Sequence, residues 1–220
     1  MKKVLILYNK IWPYRIPIFN LLSKRYDLTV SYSYDDTFDE DVDFKVLKLP
    51  GRQILSQFFV HNDNLHEICK NYDVVVGYGE IRWLSLMKLL FKSKRPYKLA
   101  FWGIGVRASY NTNYGEKTKW DKVRFYLMKK ADAFIFYSKQ PIERYLKEGF
   151  KREKLHVANN TVLVNPINTG IGRESLLFIG TLYRQKRIYE LLESYKSKIW
   201  EHCKRDVTLN IDFLNQWKPK

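Results

Sequence analysis

Short, unbroken apolar runs recur along this chain, and each is followed by a stretch with helical spacing or turn chemistry. Val4 to Tyr8, Asp73 to Tyr78 (DVVVGY), Tyr97 to Trp102 and Ala133 to Tyr137 carry almost no polar residue on either side of the pleat. Strands of that composition are buried on both faces, which is the habit of parallel sheets. Leu28 to Tyr34, Phe44 to Leu49 (closed by Pro50-Gly51) and Lys154 to Ala158 read as further strands. Between them, a segment opened by Pro17 with apolar Ile18, Leu21 and Leu22, then Asn64 to Asn71, Ile81 to Ser93, Lys117 to Lys130, and Pro141 to Glu148 ended by Gly149, read as helices. Ile54 to Val60 fits either element. Strand–helix alternation of this kind predicts an α/β fold: a Rossmann-like, doubly wound parallel sheet with helices on both faces and right-handed crossovers. The expected organisation is a first domain over residues 1–160, a linker over 161–174, and the incomplete start of a second Rossmann-like domain over 175–220.

In such sheets ligands bind outside the carboxyl ends of the strands. The residues expected on that rim are Asn9 to Arg15, with Tyr14 and Arg15 as candidate contacts, then Gly77 to Glu80, Trp102 to Gly105, and Ser138. Gly77 with Gly79, and Gly103 with Gly105, are glycine pairs that would let a ligand approach the backbone. A second candidate lies further on, in SLLFIGTLYRQKRIYELLES (175–194). Leu176 to Ile179 is an apolar strand broken by Gly180. Ile188, Leu191, Leu192 and Tyr195 then fall at the spacing of one helix face. A turn of this kind points backbone N–H groups and the positive helix end at one place, a seat for phosphate, and Arg184 and Lys186 would add full charges there. A plain strand–turn–helix with solvated basic residues fits the same spacing.

Charge narrows the partners. The chain carries +16, and Asp35 to Asp43 holds six acids and no base, so the remainder carries +22. A surface that basic favours phospholipid headgroups, nucleotide phosphates or nucleic acid, and no nucleic-acid motif accompanies the charge. Arg82 to Lys98 interleaves basic residues with Trp83, Leu86, Met87, Leu90 and Phe91. It fits both a helix lying on an anionic membrane and a sheet-packing helix with a basic edge. Two cysteines, Cys69 and Cys203, stand far apart with no CxxC pair, the histidines have no metal spacing, and no catalytic residue is identifiable. The apolar start, Val4 to Tyr8, is too short for a signal-peptide core, and no run can span a bilayer, so a cytoplasmic location is expected, with room for peripheral attachment to a membrane. Gly103-Ile-Gly105-Val-Arg-Ala108 matches G-x-G-x-x-A but lacks the helix that a dinucleotide site needs. The Asp39 to Asp43 acids read as a solvated loop rather than a metal motif.

Taken in order, these signatures resemble GT-B-fold glycosyltransferases of family 4, the glycosyl transferases group 1. KKVLILYNKIWPYRIPIFNLLSK, DVVVGYG, KLAFWGIG and ADAFIFYSKQPIERYLKEGFKREKLHVANNTV resemble the acceptor domain, and SLLFIGTLYRQKRIYELLESY resembles the first unit of the donor domain. The resemblance implies sugar transfer from a nucleotide-sugar donor, usually with retention, to a glycan or lipid-linked acceptor. The donor is a substrate, and no cofactor or metal is implied. Gly180, Leu182 and Lys186 match the family's donor turn G-R-L-x-x-x-K, with Thr181 in place of the arginine; Lys186 would then contact the donor diphosphate. Ile104 stands where family members often carry a histidine. The family's donor domain continues through several more strand–helix units, including a late E-x₇-E motif. Glu193 and Glu201 have that spacing but fall in the first donor helix, where the match is a coincidence. Two expectations follow: a shortened glycosyltransferase that is weakly active or inactive, or a non-catalytic binding subunit that docks a partner chain completing the donor domain or holds an acceptor at the membrane.

Overall fold

The computed structural model describes residues 1–34, 41–92, 94–106, 120–163 and 187–194. The chain divides into two compact units, Met1–Thr169 and Gly170–Lys220. The first is built on a seven-stranded sheet of order β3-β2-β1-β6-β7-β8-β9, every neighbouring pair parallel. Its strands are β1 (Lys3–Leu7), β2 (Asp27–Tyr32), β3 (Lys45–Lys48), β6 (Val74–Gly77), β7 (Lys98–Gly103), β8 (Ala133–Phe136) and β9 (Leu155–Val157). Helices α1 (Ile16–Ser23), α2 (Leu65–Cys69), α3 (Leu84–Leu89), α4 (Trp120–Met128) and α5 (Gln140–Lys147) connect them, and β4 (Gly51–Ile54) pairs with β5 (Phe58–His61) in a separate antiparallel hairpin. The Rossmann-like α/β fold expected from the sequence is the fold observed.

Each apolar strand splits its residues between two cores. Leu5, Leu7, Val75, Leu99, Phe101, Phe134 and Phe136 pack on one face with residues of α2, α3, α4 and α5. Ile6, Tyr8, Val76 and Ala100 pack on the other with Ile16 and Phe19 of α1. Period-two alternation delivers each neighbour to the opposite side, so a continuous apolar run feeds both cores at once. On α1 the buried residues are Ile16 and Phe19, whereas Leu21 is 60% exposed. The inward stripe is therefore two positions earlier than Ile18 and Leu21 suggest, because Pro13–Arg15 forms a 3₁₀ turn that starts the coil sooner.

Two segments differ from expectation. Ile54 to Val60, ambiguous in sequence, spans the turn of the β4–β5 hairpin. Leu55 and Ser56 sit there at φ 50° and 56° without the glycine or asparagine that usually marks such a turn. The helix expected over Ile81 to Ser93 is only Leu84–Leu89. Its first residues are drawn off by the hairpin: the Phe59 amide donates to the Arg82 carbonyl at 2.9 Å, and Phe59 stacks against Trp83 at 4.6 Å.

The same hairpin buries His61, 5% exposed, with Nε2 3.3 Å from Ser33 Oγ and its amide donating to Ser85 Oγ. Burial pulls its pKa from 6.5 down to about 4. A base whose folded value is lowered stabilises fully above its unfolded value, and that contribution is lost as pH falls from about 6.5 toward 4. His61→Leu should therefore flatten the acid limb of stability by up to about 3 kcal/mol over that window, read as denaturation midpoints at stepped pH.

Candidate functional site

Strand order reverses between β1 and β6. Chain order runs outward through β2 and β3 on one side and through β7, β8 and β9 on the other. At such a switch point the loops leaving the two central strands part and open a crevice. Here Asn9, directly after β1, bridges it. Its carbonyl accepts from the amides of Ser33 and Tyr34, which follow β2, and its Oδ1 accepts from the Tyr78 hydroxyl at 2.7 Å, directly after β6. Tyr8 and Tyr78 stack at 4.9 Å between ring centres. Burial raises both phenols: Tyr8 is pushed up to about 12, with the Tyr137 phenol adding to the rise, and Tyr78 is raised further. Both stay protonated at neutral pH and act as hydrogen-bonding walls rather than bases.

Beside the tyrosine pair sits Arg15. The 3₁₀ turn, closed by its amide donating to the Trp12 carbonyl at 2.8 Å, folds it inward until only 2% of it is exposed. Its guanidinium lies 4.9 Å from the Trp102 ring centre, 5.3 Å from Tyr14 and 5.4 Å from Tyr137. Nη2 donates to the Tyr137 hydroxyl at 3.2 Å. Among the described residues no carboxylate pairs with it, and Arg15 Nε and Trp102 Nε1 are buried donors without an acceptor. The structure thus gathers Tyr14, Arg15, Tyr78 and Trp102 from the expected rim and adds Tyr8 and Tyr137, which lie outside it. A signal was present: Tyr137 is three residues from Phe134 and one from Phe136, so alternation turns it to the α1 side, opposite those two.

The glycines have different jobs. A Cβ on Gly77 would lie 2.9 Å from Leu86, so this residue lets α3 pack on β6. A Cβ on Gly79 would make only an ordinary contact with Phe101, at 3.7 Å. Gly105 has φ +76°, and its Cβ would come within 2.5 Å of Phe136. A Cβ on Gly103 would face open space, with nothing within 4 Å. The rim carboxylate Glu80 forms an exposed pair with Arg82 at 3.2 Å. Ser138 follows β8 half-buried. Among the described residues no group of three or more His, Cys, Asp or Glu could hold a metal.

Gly180, Arg184 and Lys186 lie outside the described residues. Of the second unit, residues 188–194 are helical; Arg187 precedes them at φ 50° and its carbonyl accepts from the Leu191 amide. Ile188, Leu191 and Leu192 are half-buried, the helix face expected from their spacing.

Gly105→Ala should lower Tm by about 5 °C or more through a strained φ and a clash with Phe136, whereas Gly103→Ala should leave it within about 1 °C. Differential scanning calorimetry of the two variants checks the contrast.

No family model matches the sequence, and no curated protein does. Solved structures do. The lipopolysaccharide outer core galactosyltransferase WaaB, in its apo form, is similar at TM-score 0.50 and 16% identity over 86% of this chain and 57% of that one. Anabaena HepE in complex with UDP is similar at TM-score 0.48 and 14% identity, covering 72% of this chain and 44% of that one. UDP-N-acetylglucosamine 2-epimerase from Rickettsia bellii is similar at TM-score 0.45 and 14% identity, covering 98% and 52%. The chain spans less than two thirds of the length of each. The WaaB match shows the fold: the Rossmann-like architecture of GT-B proteins.

Proposed function

We propose that this chain provides the acceptor-side domain, and the opening of the donor domain, of a family 4 glycosyltransferase. That enzyme moves a sugar from a nucleotide-sugar donor to a glycan or lipid-linked acceptor. The observation that carries the reading is the crevice between β1 and β6, bridged by Asn9 and Tyr78 and flanked by a buried Arg15 with which no carboxylate among the described residues pairs. A sheet of this topology offers ligands that place and no other of equal geometry. Its walls are aromatic and hydroxyl-bearing, as sugar rings require: flat apolar faces stack on rings, and phenols exchange hydrogen bonds with hydroxyls.

In the proposed reaction an acceptor oxygen bonds to the anomeric carbon and the bond from that carbon to the donor phosphate breaks. The nucleoside diphosphate leaves with the bonding electrons, and the acceptor hydroxyl gives its proton to the departing diphosphate oxygen. Lys186, with Gly180 and Arg184 in the same turn, would hold the diphosphate and neutralise its growing charge. Tyr8 and Tyr78, held as phenols, orient the acceptor and do not take its proton.

Saturation-transfer NMR on the full 220-residue chain tests this. Transfer to a nucleoside diphosphate is expected, reduced at least about threefold in Lys186→Ala. Absence of transfer to uridine, guanosine and adenosine diphosphates alike would sink the reading.

A peripheral membrane role has its own support. Trp120, Val123 and Tyr126 of α4 are 68%, 46% and 67% exposed, and Phe91, 59% exposed, lies beneath the Lys130 ammonium at 4.2 Å. Lys130 also lies 5.5 Å from the Tyr126 ring centre. Exposed aromatic residues set among lysines match the boundary of an anionic bilayer, where rings enter the headgroup layer and ammonium groups meet phosphate. No helix among the described residues is long and apolar enough to cross a membrane. The full chain should co-sediment with phosphatidylglycerol-containing vesicles, not with pure phosphatidylcholine, and Trp120→Ser with Tyr126→Ser should weaken binding about tenfold or more. Equal binding by that double variant would rule this surface out.

A further inference from the structure

Among the described residues Arg15 is answered only by neutral aromatic and phenolic partners, Tyr14, Trp102 and Tyr137. It is 2% exposed, and among the described residues no carboxylate pairs with it. A buried, unpaired cation costs several kcal/mol. The ring faces of Trp102, Tyr14 and Tyr137, at 4.9, 5.3 and 5.4 Å, attract the guanidinium but offset only part of that cost. They do nothing for the hydrogen-bond deficit. Arg15 Nε and Trp102 Nε1 are both buried without an acceptor. Because the Tyr137 oxygen already accepts from Arg15, its hydroxyl proton is available as a third donor. Asn9 Oδ1, the amide oxygen that bridges the crevice, is already engaged by Tyr78 and by the Lys10 amide.

A full positive charge with a surplus of donors calls for a group that only accepts. A neutral sugar hydroxyl satisfies one donor and leaves the charge. An oxyanion satisfies several donors and the charge together.

We propose that the aromatic cage around Arg15 seats an oxyanion carried by the acceptor, a lipid-linked phosphate or the carboxylate of an acidic sugar. The inference rests on reading the β1/β6 crevice as the acceptor side. The acceptor is then an anionic molecule, and Arg15 with Trp102 and Tyr137 selects it. Arg15 is positioned by the 3₁₀ turn, and its sequence neighbours Trp12 and Tyr14 are 43% and 45% exposed.

Indole ¹H–¹⁵N spectra of the full chain read the seat directly, with Trp102→Phe assigning the resonance. Inorganic pyrophosphate should shift the Trp102 indole signal. Arg15→Gln should weaken that binding by about tenfold or more, and Tyr137→Phe by less. Should Arg15→Gln fail to fold, Arg15→Lys serves, because it keeps the charge but loses the planar donors. No indole shift, or an equal shift in the Arg15 variants, overturns the proposal. Geranyl diphosphate and glucuronate then separate the sources. Displacement of pyrophosphate by either supports an acceptor oxyanion. Displacement by uridine diphosphate, with neither of those competing, assigns the seat to the donor and overturns it. Transfer to a neutral glycan unaffected in Arg15→Gln would refute the seat and leave the glycosyltransferase standing. An intact seat in a chain that binds no nucleotide would do the reverse.

Discussion

Two-sided burial of the parallel sheet is the constraint on which the rest of this structure depends. A parallel strand exposes neither face, so each central strand supplies apolar residues at consecutive positions and alternation sends them to separate cores. Leu5 and Leu7 pack with α2, α3, α4 and α5; Ile6 and Tyr8 pack with α1. A one-residue slip in β1 would exchange the two sets and unpack both cores. The register Val4↔Leu28 on one side and Val4↔Val74 on the other is fixed by that demand.

The site inherits its composition from this arrangement. Where the strands end, alternation still governs the next residues. The α1-side positions beyond β1 and β6 carry Tyr8 and Tyr78, and Trp102 and Tyr137 continue the same side at β7 and β8. The second core therefore passes from aliphatic to aromatic as it nears the rim, and the inserted 3₁₀ turn closes its edge with Arg15. Core and site form a continuous surface, dry below and hydrogen-bonding above. The side chains beneath hold the phenols and the guanidinium in place, which is what pre-organised recognition requires. Glycine serves packing at Gly77 and a left-handed turn at Gly105, and among the described glycines only Gly103 faces open space.

Legibility in the sequence followed the reach of each signal. Long apolar runs and glycine-terminated helices were readable because their causes are local: alternation, capping and the left-handed φ of Gly149, 82°. The β4–β5 hairpin was not, because Leu55 and Ser56 adopt left-handed backbone without the residues that advertise it. The shortened α3 was not, because its first turn is taken by a bridge to Phe59, a partner more than twenty residues away. Tyr14, Arg15 and Trp102 could be placed on the rim from strand ends alone, but nothing in the sequence says that they meet.

By itself the sequence determined the fold class, the order along the chain of the strands in the parallel sheet, and which residues lie at their carboxyl ends. Those properties depend on the period of apolar residues and on residue types that fix the backbone locally. Only the tertiary structure decided that Arg15 is buried, that Trp102 and Tyr137 wall it in, and that no carboxylate among the described residues answers its charge. The reason is physical. Strand order and the reversal between β1 and β6 bring residues 15, 102 and 137 together across more than a hundred positions of chain. An arginine's electrostatic environment is a property of such neighbours, and no local pattern encodes it.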